Sequence, residues 1–199
     1  MRIVIADDHQ LFRQGLRLIL SNEPTWEVVA EVDNAEKLIS SVKDLQPDLV
    51  MLDYRMPGGG ALSALDYIKK RYVDIKVIML TGVQSRALFL QMMAGKADGV
   101  LLKEMSAEEL VKAVHGVLAG KKVTSAGVKN ELGSQAPDLT TREFQVLDLV
   151  LEGLSSNDIA DRLSLSGKTV ENHRYSLMQK LGVKNTVELM RYASRHGLL

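Results

Sequence analysis

The feature that most constrains this chain is a fivefold alternation in its first 120 residues. Five apolar runs of strand length, Arg2–Ala6, Glu27–Val32, Asp48–Leu52, Lys76–Leu80 and Gly99–Leu102, are each followed by a stretch of helical period. Leu16, Ile19 and Leu20 mark the first such period; Leu38, Ile39 and Val42 the second; Leu62, Leu65 and Ile68 the third. A helix is expected from Ser85 to about Ala94. Another, running to about Leu118, opens on the capping box of Ser106 and Glu109. Apolar runs that are continuous rather than alternating belong to strands covered on both faces. Repeated strand–helix units build a parallel sheet with helices on either side. The expected fold of this half is an α/β doubly wound five-stranded parallel sheet.

The pattern stops at Gly120. Gly120, Gly127, Gly133 and Pro137 lie among polar residues, which reads as a linker with room for one short helix. From there the chain reads as entirely helical, with helices at about 141–152, 156–163, 167–181 and 185–195. The expected organisation is a domain over 1–120, a linker over 121–137 and an all-α four-helix domain over 138–199. Within the first domain, Pro57-Gly58-Gly59-Gly60 breaks the chain and predicts a mobile loop.

Composition narrows the function. The absence of cysteine excludes disulfide frameworks and cysteine-based zinc or redox chemistry. No apolar stretch approaches the roughly 20 residues that cross a bilayer, and Asp7, Asp8 and His9 interrupt the first apolar run, so a cytoplasmic protein without a secretion signal is expected. The net charge of zero conceals an asymmetry. From Lys168 onward six basic residues face two acidic ones, whereas Asp138–Gly167 carries two basic against six acidic. A small basic segment beside an acidic one suits a protein that meets phosphate with one face only.

In an open α/β sheet the chemistry gathers at the carboxyl ends of the strands. Asp7 and Asp8 follow the first strand, Asp53 the third, Thr81 the fourth and Lys103 the fifth. Any one of them alone is an ordinary turn or surface residue. Together they place three carboxylates, a hydroxyl and an ammonium at one rim. Crowded carboxylates raise one another's pKa unless a cation is present. Hard oxygen ligands near phosphate favour Mg²⁺, with Mn²⁺ an alternative. The set suits phosphoryl transfer, with Asp53 as a carboxylate nucleophile.

Residues 1 to about 120 resemble the receiver domain of two-component response regulators, a flavodoxin-like fold. The resemblance rests on Ile5-Ala6-Asp7-Asp8-His9, Leu52-Asp53-Tyr54-Arg55-Met56-Pro57-Gly58, Met79-Leu80-Thr81 and Leu101-Leu102-Lys103-Glu104. It implies that Asp53 accepts phosphate from a sensor histidine kinase. It also implies that Asp7, Asp8, Asp53 and the backbone carbonyl of Arg55 hold the metal, that Thr81 is the switch hydroxyl and that Lys103 pairs with the phosphate. His9 reads as a surface residue with a local hydrogen-bonding role. Two departures stand out. Val100 occupies the position, three before the lysine, where most receivers carry an aromatic ring that turns as the threonine moves. The loop Gly58-Gly59-Gly60-Ala61 lacks the acidic residue common there.

The segment from Leu139 onward resembles the LuxR-type helix-turn-helix of the NarL/FixJ family. The matching stretches are Leu139–Glu143, Gly153–Ala160, Leu163–Ser166, Thr169–His173 and Lys180–Val183. Ile159, Ala160 and Leu163 give the first helix an apolar face, Leu165, Val170, Leu177 and Leu181 seat the second, and Ser166 is its N-cap. The stripe Lys168, Thr169, Asn172, His173, Ser176 and Lys180, with Lys184 beyond it, is rich in donors for major-groove edges and phosphates. Which of Asn172 and His173 meets a base and which a phosphate stays open. The final helix, with Val187, Leu189, Met190, Tyr192 and Ala193, either dimerises on DNA or only closes the core.

The expected function is phosphorylation-dependent transcriptional regulation through double-stranded promoter DNA, with a homodimer forming on phosphorylation or DNA binding. A phosphotransfer or protein-interaction module, and a regulator that binds DNA without phosphate, are alternatives. An enzyme turning over a small substrate is less favoured, because the position two after Asp53 is Arg55 and supplies no carboxylate.

Overall fold

A computed structural model of the protein describes residues 1–56, 60–83, 86–125 and 139–195. Pro57, Gly58 and Gly59 of the predicted loop, Ser85 of the predicted helix start and most of the predicted linker lie outside the described residues. The chain divides into two compact units, Met1–Gly82 with Met92–Asn130, and Val83–Gln91 with Glu131–Leu199.

The sheet comprises β1 (Arg2–Ala6), β2 (Glu27–Val32), β3 (Leu49–Asp53), β4 (Lys76–Thr81), β5 (Gly99–Leu102) and β6 (Val123–Thr124). All neighbours run parallel, in the order β2-β1-β3-β4-β5-β6. The connecting helices are α1 (Gln10–Ser21), α2 (Ala35–Leu45), α3 (Ala61–Arg71), α4 (Arg86–Ala94) and α5 (Ala107–Leu118). Strand side chains alternate between two buried layers. Ile3, Ile5, Met51, Ile78, Leu80 and Leu101 pack with Leu16 and Leu20 of α1 and Leu110, Val114 and Val117 of α5. Val4, Val50, Leu52, Val77, Met79 and Val100 are buried in the opposite layer. This two-sided burial is the physical reason that the strands read as unbroken apolar runs.

Local signals set the helix starts. Ser106 and Glu109 form the reciprocal capping box, and the Asn34 side chain accepts the Lys37 N–H to cap α2. One strand exceeds the expected five. Val123–Thr124 falls within the segment expected to be linker, yet pairs with Gly99–Val100. Two features admit it. A Cβ at Gly116 would lie 2.9 Å from Val123 Cγ2, so the missing side chain lets the strand approach α5. Just before it, the Lys122 ammonium donates to the Ala97 carbonyl at 2.8 Å and to Asp98 at 3.2 Å.

The second unit contains α6 (Thr141–Leu151), α7 (Ser156–Leu163), α8 (Gly167–Leu181) and α9 (Thr186–Arg195). Thr140 with Glu143, and Ser155 with Asp158, form two more capping boxes. The turn between α7 and α8 spans only Ser164–Ser166, with Ser164 in the left-handed region at φ 53°. Phe144, Leu147, Ile159, Leu163, Val170, Leu177, Leu181 and Leu189 are buried, so all four helices contribute to the core. This is the all-α four-helix arrangement expected, with the short α7–α8 turn of a helix-turn-helix.

Candidate acidic site and nucleic-acid interface

The chain enters the sheet at β1, moves to β2 on one side and returns on the other at β3. This reversal leaves a crevice at the carboxyl ends of β1 and β3, the usual ligand position in such sheets. Asp7, Asp8 and Asp53 occupy it. Asp7 and Asp53 are buried, while Asp8 is partly exposed. The Asp7 N–H donates to the Val32 carbonyl at 3.0 Å, which fixes the turn out of β1. The Lys103 N–H donates to the Thr81 carbonyl at 2.8 Å and thereby brings the end of β5 beside β4. The Lys103 ammonium then lies 2.8 Å from Asp7 Oδ2 and 2.9 Å from Asp53 Oδ2. Thr81 is buried at the end of β4. The Arg55 N–H donates to Asp53 Oδ1 at 3.2 Å. Asp7, Asp8, Asp53 and Lys103 therefore meet in one place, and Thr81 sits at the adjoining strand end, its carbonyl bound by the Lys103 N–H.

Burial pushes the Asp53 carboxyl above its ordinary range. Lys103 pulls it down, the neighbouring Asp7 charge pushes it up again, and the net direction is upward. Asp7 Oδ2 and Asp53 Oδ2 face the Lys103 ammonium and Asp8 Oδ1 faces His9 Nδ1 at 2.9 Å, and these buried carboxylate oxygens, each with more than one lone pair, keep acceptor capacity for a cation. One ligand atom each from Asp7, Asp8, His9 and Asp53 falls within 4.8 Å of the others, so the cluster can hold a metal ion. The carboxylate set fits a hard divalent cation.

His9 has the surface position and local hydrogen-bonding role expected of it: it is largely exposed, its N–H donates to Asp7 Oδ1 at 2.8 Å and its Nδ1 lies 2.9 Å from Asp8. Sequence reasoning missed two neighbours of this rim. The Arg13 guanidinium donates to the Asp7 carbonyl at 2.5 Å and sits 3.7 Å from Glu31. The ring of Phe12 lies under the Lys103 ammonium. The available signal was their position in the first turn of α1, directly after the two acids.

In the helical unit, Val170, Leu177 and Leu181 turn α8 toward the core. The opposite face exposes Lys168, Glu171, Asn172, Tyr175 and Gln179. Tyr175, 69% exposed, is absent from the stripe expected on this helix. Thr169 is half-buried and shares the cap, its N–H donating to Ser166 Oγ at 3.1 Å; His173 is half-buried. Ser176 and Lys180 point elsewhere than the rest of the stripe. The Ser176 hydroxyl donates to Glu143 Oε1 at 2.5 Å and the Lys180 ammonium to Glu143 Oε2 at 2.8 Å. Burial of Glu143 opposes its charge, but these two donors and the Thr140 backbone outweigh that effect and bring its pKa down to about 2. Lys184 is exposed, and its N–H donates to Glu188 at 2.8 Å.

A carboxylate rim closed by a lysine on a doubly wound sheet, joined in one chain to a helix-turn-helix, is the build of a two-component response regulator. Comparison with known proteins agrees over nearly the whole chain. Residues 3–115 match the response regulator receiver domain, and residues 137–193 match the bacterial regulatory proteins of the luxR family. The transcriptional regulatory protein DegU of Brevibacillus brevis is 33% identical over 99% of this chain and 94% of its own length. The response regulator GacA of Pseudomonas aeruginosa is 31% identical over 100% of this chain and 98% of its own. Among solved structures, RcsB from Salmonella enterica serovar Typhimurium, bound to promoter rprA in the presence of phosphomimetic BeF3−, superposes with a TM-score of 0.86. It is 28% identical and covers 98% of both chains. The chain belongs to the NarL/FixJ family of transcriptional response regulators, which join a receiver to a LuxR-type helix-turn-helix. Among the described residues, no helix is long and apolar enough to cross a membrane.

Proposed function

We propose that Asp53 accepts a phosphoryl group from a sensor histidine kinase in the cytoplasm, and that the acyl phosphate controls dimerisation and promoter binding by the helical unit. The observation that carries this reading is the gathering of Asp7, Asp8 and Lys103 around a buried Asp53, with Thr81 buried at the adjoining end of β4. Mg²⁺, or Mn²⁺, held by Asp7, Asp8, Asp53 and the Arg55 backbone carbonyl, would neutralise the carboxylates and the incoming phosphoryl oxygens. An Asp53 oxygen forms the new bond to phosphorus as the P–N bond of the kinase's phosphohistidine breaks and the donor histidine leaves as imidazole. Lys103 pairs with a phosphoryl oxygen, and the Thr81 hydroxyl turns toward another. Val100 fills the buried position on β5 where most receivers carry a ring, so the signal leaves this site without an aromatic rotation at that strand.

On the DNA side, Lys168 and Asn172 form the centre of the contact face, with Tyr175 added, Thr169 and His173 at its margin and Lys184 on the adjoining backbone. Ser176 and Lys180 tie α8 to Glu143 of α6 and lie at the edge of this face. RcsB bound to promoter DNA in the presence of phosphomimetic BeF3− supports this reading. Incubation with Mg²⁺ and acetyl phosphate tests the acceptor: a single phosphate adduct is expected on the wild-type chain and none on Asp53→Asn. A full adduct on that variant would move the site elsewhere.

A further inference from the structure

We infer that Phe12 is a positioning residue for Lys103, holding the ammonium beside Asp53 while the carboxylates are engaged by a cation. This inference rests on the acceptor reading above and adds a partner to its lysine. The Lys103 ammonium lies 4.8 Å from the centroid of the Phe12 ring, within cation–π range. It also touches Asp7 and Asp53 at 2.8 and 2.9 Å, so the ring is its third neighbour and the one that carries no charge.

The chemistry of the rim makes that neighbour useful. A divalent cation held by Asp7, Asp8 and Asp53 would compete with Lys103 for these carboxylates. It would weaken their hold on the lysine, and like-charge repulsion would favour displacement of Lys103. The face of Phe12 is not a ligand for that cation and keeps its attraction for the ammonium. The surroundings strengthen it. Lys103 and Phe12 line one groove of about 340 Å³ between α1 and α5, with Leu11, Leu16, Met105 and Leu110 as apolar walls, and the lysine side chain is only 18% exposed. Cation–π attraction grows as water is removed from it. Phe12 also packs on the core that lies beneath α1 and α5, which fixes the ring plane. A leucine would fill the same space without offering a π face.

The test measures phosphoryl uptake from acetyl phosphate and Mg²⁺ by the full chain. An Asp53 oxygen bonds phosphorus as the bridging P–O bond breaks and acetate leaves, with no proton required. Phe12→Leu is expected to slow uptake roughly fivefold, while Phe12→Tyr, which keeps the ring, loses less than about twofold. The Lys103 ε-methylene protons provide a readout that core packing alone would not move. A ring-current upfield shift is expected on the wild-type chain and on Phe12→Tyr, and its loss on Phe12→Leu. Phe12→Leu with wild-type uptake, equal losses for the leucine and tyrosine variants, or Lys103 resonances indifferent to residue 12 would each overturn the inference. The acceptor reading fails separately, on a wild-type chain without adduct or on an adduct that survives Asp53→Asn, and the Lys103 resonances still report on Phe12 in that event.

Discussion

Glu143 keeps its charge inside the helical unit because the Ser176 hydroxyl, the Lys180 ammonium and the Thr140 N–H converge on it. Its folded pKa of about 2 lies below the value of 4.5 that it has when free. A depressed carboxylate stabilises the fold fully above its unfolded pKa, and that stabilisation disappears as pH falls through the folded value. The helical unit is therefore expected to lose about 2–3 kcal/mol between pH 4.5 and pH 2 from this residue. Glu143→Gln should remove about 2 kcal/mol at neutral pH and almost none near pH 2, read from hydrogen exchange of α6 and α8 amides. Equal protection at neutral pH would show that the charge contributes nothing. The same residue explains a limit of sequence reading. Ser176 and Lys180 share a polar stripe with Lys168 and Asn172, and a helical wheel does not show that a buried carboxylate on another helix claims them. Tyr175 escaped notice for the converse reason: an aromatic residue reads as core unless the buried face is already known.

At the scale of elements, what was legible follows from period and punctuation. Five apolar runs located five strands because both sheet faces are covered, and Ser106 and Ser166 located helix starts because their side chains accept exposed backbone N–H groups. β6 has neither signal. Two residues have no period, and its place depends on the bare backbone of Gly116 and on Lys122 reaching Asp98, contacts distant in sequence. Gly116→Val is expected to force the strand off α5 at a cost of about 1–3 kcal/mol. Exchange of the Val123 and Ser125 amides, which donate to the Asp98 and Val100 carbonyls, should quicken while β1 and β3 amides keep their protection. Unchanged exchange at Val123 would mean that the gap at Gly116 is not what admits the strand. For α8, Lys168→Ala should weaken binding to random duplex DNA and lower the salt slope by about one, as expected for one lost phosphate contact. Asn172→Ala should instead relax preference at one base position. Lys180→Ala should cost fold stability before it costs salt dependence, because its ammonium is bound to Glu143.

At the scale of the whole molecule, the two units have to communicate. A phosphoryl group on Asp53 can favour DNA binding only through a receiver state that differs in its affinity for a second copy or for its own output unit. Two recognition helices on one duplex bind far more tightly than one, so dimerisation alone converts a small local change into a large one. The most direct measurement is the affinity of the full chain for a duplex selected from a random-sequence pool, taken with Mg²⁺, with and without acetyl phosphate, for the wild type and Asp53→Asn. Phosphodonor should tighten binding by the wild type roughly tenfold, a coupling of about 1.4 kcal/mol, and leave Asp53→Asn unchanged. Equal tightening of both chains, or of neither while the wild type carries its adduct, would contradict control of DNA binding by phosphate on Asp53.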